Sequence, residues 1–242
     1  MPLLQTVDLR KDFGGLAAVD GVDFGLETGA LHALVGPNGC GKSTLFNLIS
    51  GALAPSGGQV FFDGAEITGL PPHDIARRGI GRKFQVPAVF DALSVAQNLA
   101  VPAWARDGLS YWRAADTDAP MAALEQVGLA GKRDLPAGEL SHGERQWLEI
   151  AMLLASRARL LLLDEPTAGM TMTETAATAE LIGRLAAGGD VTVLVIEHDM
   201  AFLQDLGCPV TVMAKGQILR SGDYATIRAD AEVRELYFGR GR

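Results

Sequence analysis

Nine consecutive residues, Gly36, Pro37, Asn38, Gly39, Cys40, Gly41, Lys42, Ser43 and Thr44, carry the most specific chemistry in the chain. They fit the phosphate-loop pattern G-x-x-x-x-G-K-[ST] in full. Glycines let successive backbone N–H groups turn inward around phosphate oxygens. Lys42 supplies a point charge for β and γ phosphates, and the Ser43 hydroxyl suits Mg²⁺. Thr44 adds a second hydroxyl beside them. An apolar run at 31–35 precedes the loop, and Leu45, Leu48 and Ile49 follow at helical spacing until Gly51. A helix starting near Lys42 aims its positive end at the loop. The bland reading, a glycine-rich turn joining strand to helix, does not account for the complete pattern in this context.

A second constellation is the apolar run 160–163 ending in Asp164 and Glu165. A strand aims its last residues at the crevice beyond its carboxyl end. Asp164 is expected to reach the Mg²⁺ shell there, and Glu165 to face the attacking water as general base. A solvated strand end is the competing reading, and it weakens once a phosphate loop is present. The two constellations predict binding and hydrolysis of ATP.

Elements must position these groups. Partial alternation over 3–9 and 19–26 suggests half-buried strands, and 31–35 reads as a buried strand. Residues 60–62 followed by Asp63-Gly64 read as strand and turn. Residues 91–156 are mostly helical in pattern, with an irregular polar interruption at 108–120. Runs 160–163 and 191–196 read as buried strands, with a helix over 173–187 between them ending at Gly188-Gly189. Residues 210–213 and 218–220 flank Lys215-Gly216 as a hairpin. Strands at both ends with helices between predict an α/β core carrying a helical insertion.

With 242 residues, 48% of them hydrophobic, the chain can bury a sizeable core. Lys and Arg total 21 against 29 Asp and Glu, a net charge of −8, which argues against a general nucleic-acid binder. No apolar run approaches the ~20 residues of a membrane span. Residues 1–6 lack a basic n-region and a long apolar core, so no secretory leader is expected. A soluble chain is therefore expected, with any membrane role coming through a partner. Cys40 and Cys208 read as reduced thiols of a cytosolic protein.

Just upstream of the carboxylate strand lies Leu140-Ser141-His142-Gly143-Glu144. This resembles the signature motif of the ATP-binding cassette (ABC) ATPases. Other family motifs stand in the expected order. Phe13 matches the aromatic that stacks on adenine, with Val19 beside it in the adenine-side segment. Gln85, in Lys83-Phe84-Gln85, matches the glutamine that ligates Mg²⁺. His198, in Ile196-Glu197-His198-Asp199, matches the histidine that contacts the γ-phosphate. The basic residues Arg77, Arg78, Arg82 and Lys83 are given no role and read as a solvated face.

The resemblance spans nearly the whole chain. It implies a P-loop NTPase (RecA-like) core and an antiparallel β subdomain, about 1–84 and 159–242. An α-helical signature subdomain would occupy about 85–158. It implies ATP and Mg²⁺ as ligands, with Glu165 and His198 catalytic and Ser43, Gln85 and Asp164 at the metal. It also implies a second ABC ATPase subunit, itself or a paralogue, packed head to tail. Ser141, Gly143 and Glu144 would then contact ATP across the dimer. Two permease subunits and, indirectly, a periplasmic solute-binding protein complete the assembly. Nucleic acid is not among the partners, and the place is the inner face of the cell membrane. The permease is expected to dock on residues 86–99.

Two departures have consequences. His142 stands where the signature usually has glycine, so its side chain must point away from phosphate, and Glu144 replaces glutamine. Thr171 replaces an aspartate that usually couples the two sites, which removes that cross-dimer contact without touching ATP binding. Phe13-Gly14-Gly15-Leu16, Ala18-Val19-Asp20-Gly21-Val22 and Gln146-Trp147-Leu148-Glu149-Ile150 resemble the branch serving branched-chain amino acid, amide and urea importers. Ala168-Gly169-Met170-Thr171 and Glu197-His198-Asp199-Met200 resemble the urea-transporter ATPase most. Alternatives are the ATPase of a lipopolysaccharide-type exporter, a non-transport ABC ATPase, and a regulatory module without turnover.

Overall fold

The computed structural model describes residues 2–83, 88–107 and 118–238. The alternating N-terminal runs form β1 (Leu4–Phe13) and β2 (Leu16–Leu26), joined by the two-residue turn Gly14-Gly15. With β4 (Gly57–Phe62) and β5 (Ala65–Glu66) they make an antiparallel sheet in the order β2-β1-β4-β5.

The second sheet holds β3 (Leu31–Val35), β6 (Ile80–Lys83), β7 (Leu160–Asp164), β8 (Thr192–Ile196), β9 (Val210–Ala214) and β10 (Gln217–Gly222). Their order is β10-β9-β3-β8-β7-β6. All neighbours are parallel except β10, which returns antiparallel to β9 by the expected hairpin. Every residue of β7 and β8 is buried, as a strand covered on both faces must be. Alternate residues go to opposite layers. Leu34, Leu160, Leu162, Leu194 and Ile196 join the core shared with the antiparallel sheet and α1 (Lys42–Ile49). Leu161, Leu163, Val193 and Val195 face α5 (His142–Ala155) and α6 (Met172–Ala187) instead.

Register fixes where the chemistry sits. Leu34 pairs with Ile196, and Ile196 with Asp164, so β3, β8 and β7 end side by side. Lys83, the last residue of β6, pairs with Leu163 at the same edge. The remaining α-helices among the described residues are α2 (Pro72–Arg77), α3 (Val95–Asp107), α4 (Asp118–Gln126), α7 (Met200–Leu206), α8 (Tyr224–Ala229) and α9 (Ala231–Phe238).

Three expectations change. β6 was not expected, because glycine and two cations occupy its middle and end. Burial explains them: a Cβ at Gly81 would lie 2.9 Å from that of Ala158, so the strand needs glycine to reach α5. The irregular stretch 108–120 is cut short by α4, which starts at Asp118. Pro120 falls in its first turn, where a missing N–H leaves no bond unmade. Residues 108–117 lie outside the described residues. The helix expected from Glu144 starts at His142, and its buried residues include Gln146, Leu148, Glu149, Ile150 and Ala151. The expected stripe of Trp147, Ile150, Leu153 and Leu154 does pack on the core, and the buried face is wider than that stripe because this helix packs against β6, α3 and α4 at once.

Both cysteines are free and buried. No helix among the described residues is long and apolar enough to cross a membrane.

Candidate active site

The loop 36–44 leaves the end of β3 and enters α1. Two of its glycines are irreplaceable on steric grounds. A Cβ at Gly36 would lie 2.3 Å from Met213 O, and one at Gly41 2.2 Å from Ala18 O. Both have positive φ, +154° and +110°. Gly41 is the N-cap of α1 and offers no side-chain acceptor, so no side chain caps the helix's first N–H groups. These donors and the positive helix end suit an anion. Lys42 is buried, and its ammonium donates to Gly36 O at 2.7 Å and Pro37 O at 3.1 Å. The charge is thus held inside the loop. Asn38, Gly39, Gly41, Lys42, Ser43 and Thr44 line a cleft of about 300 Å³ whose remaining wall is Glu165.

Asp164 and Glu165 part company at the strand end. Asp164 is buried, with Oδ2 3.8 Å from Arg82 Nη2 and Oδ1 lacking a hydrogen-bond partner among the described residues. Burial raises its pKa against the pull of Arg82. Glu165 has φ +46°, a conformation that costs a non-glycine residue roughly 1–3 kcal/mol. The strain turns its side chain out of the strand into the cleft, where it is 29% exposed. Its N–H donates to Ile196 O at 2.9 Å, so the bend is anchored to β8. His198 Nδ1 stands 3.6 Å from Glu165 Oε1 with its ring largely exposed. A partly exposed carboxylate beside an anion cleft can accept a proton from water, and an exposed imidazole beside it can hold an anionic oxygen.

α5 opens with a capping box. Ser141 Oγ accepts from Glu144 N at 3.2 Å, and Glu144 Oε2 accepts from Ser141 N at 3.1 Å. Glu144 also pairs with Lys132, which together with Ser141 holds its carboxyl below the usual range despite partial burial. Its carboxylate is therefore committed within its own chain, and the expected contact with ATP across a dimer is not favoured by this arrangement. His142 Nε2 lies 2.9 Å from Ala168 O. A carbonyl cannot donate, so Nε2 carries the proton. The ring is drawn onto the loop that follows the carboxylates. Thr171 is the N-cap of α6, in a reciprocal box with Glu174.

The sequence profile of the ABC transporter family matches residues 19–168. The high-affinity branched-chain amino acid transport ATP-binding protein BraF of Pseudomonas aeruginosa is 36% identical, with 98% of each chain covered. LivG of Escherichia coli, of the same description, is 35% identical over 98% of each chain. The crystal structure of a nucleotide-free ATP-binding cassette from an ABC transporter superposes with TM-score 0.87. It is 30% identical, covering 99% of this chain and 100% of that one. An ADP conformation of such a cassette gives the same score and identity. This chain belongs to the ABC transporter family. It is an ATPase cassette of that family.

Within the cassette, Phe13 ends β1 with its ring 46% exposed, and Lys11 Nζ stands 5.2 Å from the ring centroid. An exposed aromatic on a hairpin tip can stack on a base. Val19 differs. Its side chain is fully buried in the core, so it presents no surface to a nucleotide and supports the hairpin from beneath. Gln85 lies outside the described residues, as do the first two residues of the expected docking segment 86–99.

Sequence reasoning missed three partners. Arg82 and Lys83 are not a solvated face. Arg82 donates to Asn47 Oδ1 at 2.6 Å and Ser50 Oγ at 3.0 Å besides facing Asp164. Lys83 is fully buried 3.7 Å from Glu149, whose other oxygen accepts from Ala88 N at 2.6 Å. Glu197 is buried between the carboxylate loop and the histidine. Its Oε1 accepts from Thr167 Oγ1 at 2.6 Å, and its Oε2 from His198 N at 3.1 Å. The available signal was a carboxylate directly following the apolar run 193–196. Thr167→Val keeps the shape and removes the hydroxyl from this buried acceptor. It is expected to cost about 1–3 kcal/mol, read from the urea midpoint. An unchanged midpoint would show that Glu197 does not depend on this bond.

Proposed function

We propose that this cassette powers import of branched-chain amino acids through two permease subunits, acting as a head-to-tail pair with itself or a paralogue. The observation that carries the solute class is similarity along the full length to transport ATP-binding proteins of that class. It extends from the bacterial relatives to a probable LivG of Archaeoglobus fulgidus at 34% identity over 99% of this chain. Urea is a second reading, favoured by residues 168–171, 197–200 and 237–240. A periplasmic binding protein would deliver either solute, and the cassette would lie peripherally on the inner membrane face.

In this reading the loop N–H groups and Lys42 hold the β and γ phosphates. Phe13 stacks on adenine, and Glu165 takes the proton of the attacking water. His198 steadies the γ-phosphate, and Ser141 and Gly143 of a second subunit close over it. The residues present fit Mg²⁺. Asp164 Oδ1 is a buried carboxylate oxygen without a hydrogen-bond partner among the described residues, the donor a hard cation takes. Ser43, Asp164 and Gln85 would hold the ion, which supplies neutralisation of phosphate charge. Residues 85–158 would move as the signature subdomain, with the permease docked on 86–99.

Uptake of labelled leucine and urea by cells carrying the chain with its native permeases tests the solute. Leucine uptake is expected to vanish with Glu165→Gln, while urea uptake is unaffected. Loss of urea uptake alone would replace the first reading with the second.

A further inference from the structure

The signature donors are already engaged within this chain. Ser141 Oγ serves its own helix as acceptor, so its hydroxyl proton is spare. That proton goes to Glu174 Oε1, 3.3 Å away on the first turn of α6. The backbone N–H of Gly143 faces the same carboxylate and helps to hold its pKa down. Only glycine admits it: a Cβ at Gly143 would lie 2.6 Å from Glu174 Oε1.

Glu174 is in turn gripped by Thr171. Glu174 Oε2 accepts from Thr171 N at 3.0 Å and from Thr171 Oγ1 at 2.9 Å. These bonds, those from Thr171 foremost, hold the carboxyl below the usual glutamate range. Glu174 therefore stands on the signature as an anion, with Ser141 exposed and Glu174 half-buried. The residue that replaces the usual aspartate, Thr171, is the one that aims it.

We propose that Glu174 is an internal stand-in for the γ-phosphate, occupying the signature donors until ATP on a second subunit displaces it. The proposal rests on the head-to-tail pair argued above. Its logic is stoichiometric. One hydroxyl proton and one N–H cannot serve the carboxylate and a phosphate oxygen together. Two anions sharing these donors also repel, so closure requires the Glu174 side chain to swing away. The contact thus raises the ATP level at which two cassettes close, and leaves the phosphate loop of each free to bind.

The test uses the full chain carrying Glu165→Gln, with Mg²⁺-ATP titrated and dimer measured by light scattering. Adding Glu174→Ala is expected to lower the ATP concentration for half-dimerisation about three- to tenfold, the worth of one exposed charge-assisted hydrogen bond. ATP affinity of the dilute monomer should not move. Glu174→Gln keeps a capping-box acceptor and removes only the charge, so it covers the case in which the alanine variant fails to fold. It should shift half-dimerisation in the same direction. An unchanged or raised midpoint in a folded variant overturns the proposal, as does an equal shift in monomer affinity. If the Glu165→Gln parent does not dimerise with ATP, the head-to-tail pair of this chain with itself falls, and this inference with it.

Discussion

Glu165→Gln is expected to cut the rate of ATP turnover by about 10²–10⁴-fold and leave nucleotide binding intact, the usual contribution of a general base. Glutamine preserves size, so the cleft wall and the packing beside the loop stay as they are. It also keeps the backbone at φ +46°, since neither residue is more at ease there than the other. The N–H bond to Ile196 O is unaffected because it is main chain. What disappears is the capacity to take a proton. The kinetic signature follows: kcat falls, while KM changes little. Phosphate release and binding of a fluorescent ATP analogue, measured on the same preparation, separate the two. Turnover at the parent rate would assign the base elsewhere, and His198, 3.6 Å away, is the first candidate. A joint loss of binding would point to a collapsed cleft instead.

The structure shows why some of this was readable in the sequence and some was not. The loop 36–44 is legible because its demands fix residue types, whatever the distance in sequence of the groups that impose them. Gly36 and Gly41 meet backbone carbonyls that no side chain could pass, and Lys42 bonds to residues five and six positions away. The strand β7 is legible because burial on both faces forces an apolar run. β6 was hidden, since its cations are paid for by partners distant in sequence. Asp164 lies 82 positions from Arg82, and Glu149 66 positions from Lys83. A sequence window sees two basic residues and predicts solvent. Glu197 and Glu174 were hidden for the same reason: their partners Thr167 and Ser141 sit on other elements, 30 and 33 positions away. Val19 shows the converse error. Its position in a family pattern suggested contact with nucleotide, while its burial in the core gives it a packing role.

Lys42→Ala is expected to weaken ATP binding by roughly 10²–10³-fold or more, because two or more charge-assisted bonds to phosphate are lost together. Two contributions add. The first is the charge itself, which acts from a buried position and is little screened by salt. The second is the loop. The Lys42 ammonium donates to Gly36 O and Pro37 O, so its removal frees two carbonyls and loosens the curve that points the N–H groups inward. Lys42→Arg separates them. Arginine keeps the charge, but its planar fork cannot sit where a compact ammonium bridges two carbonyls. If charge dominates, arginine restores part of the affinity lost by alanine. If loop shape dominates, both variants bind equally poorly. Isothermal titration with ATP and with ADP adds a further division, since a lysine serving the γ-phosphate costs more with ATP than with ADP. Normal affinity in Lys42→Ala would remove the phosphate loop as the nucleotide site, and the roles argued for Glu165, His198 and Glu174 would fall with it.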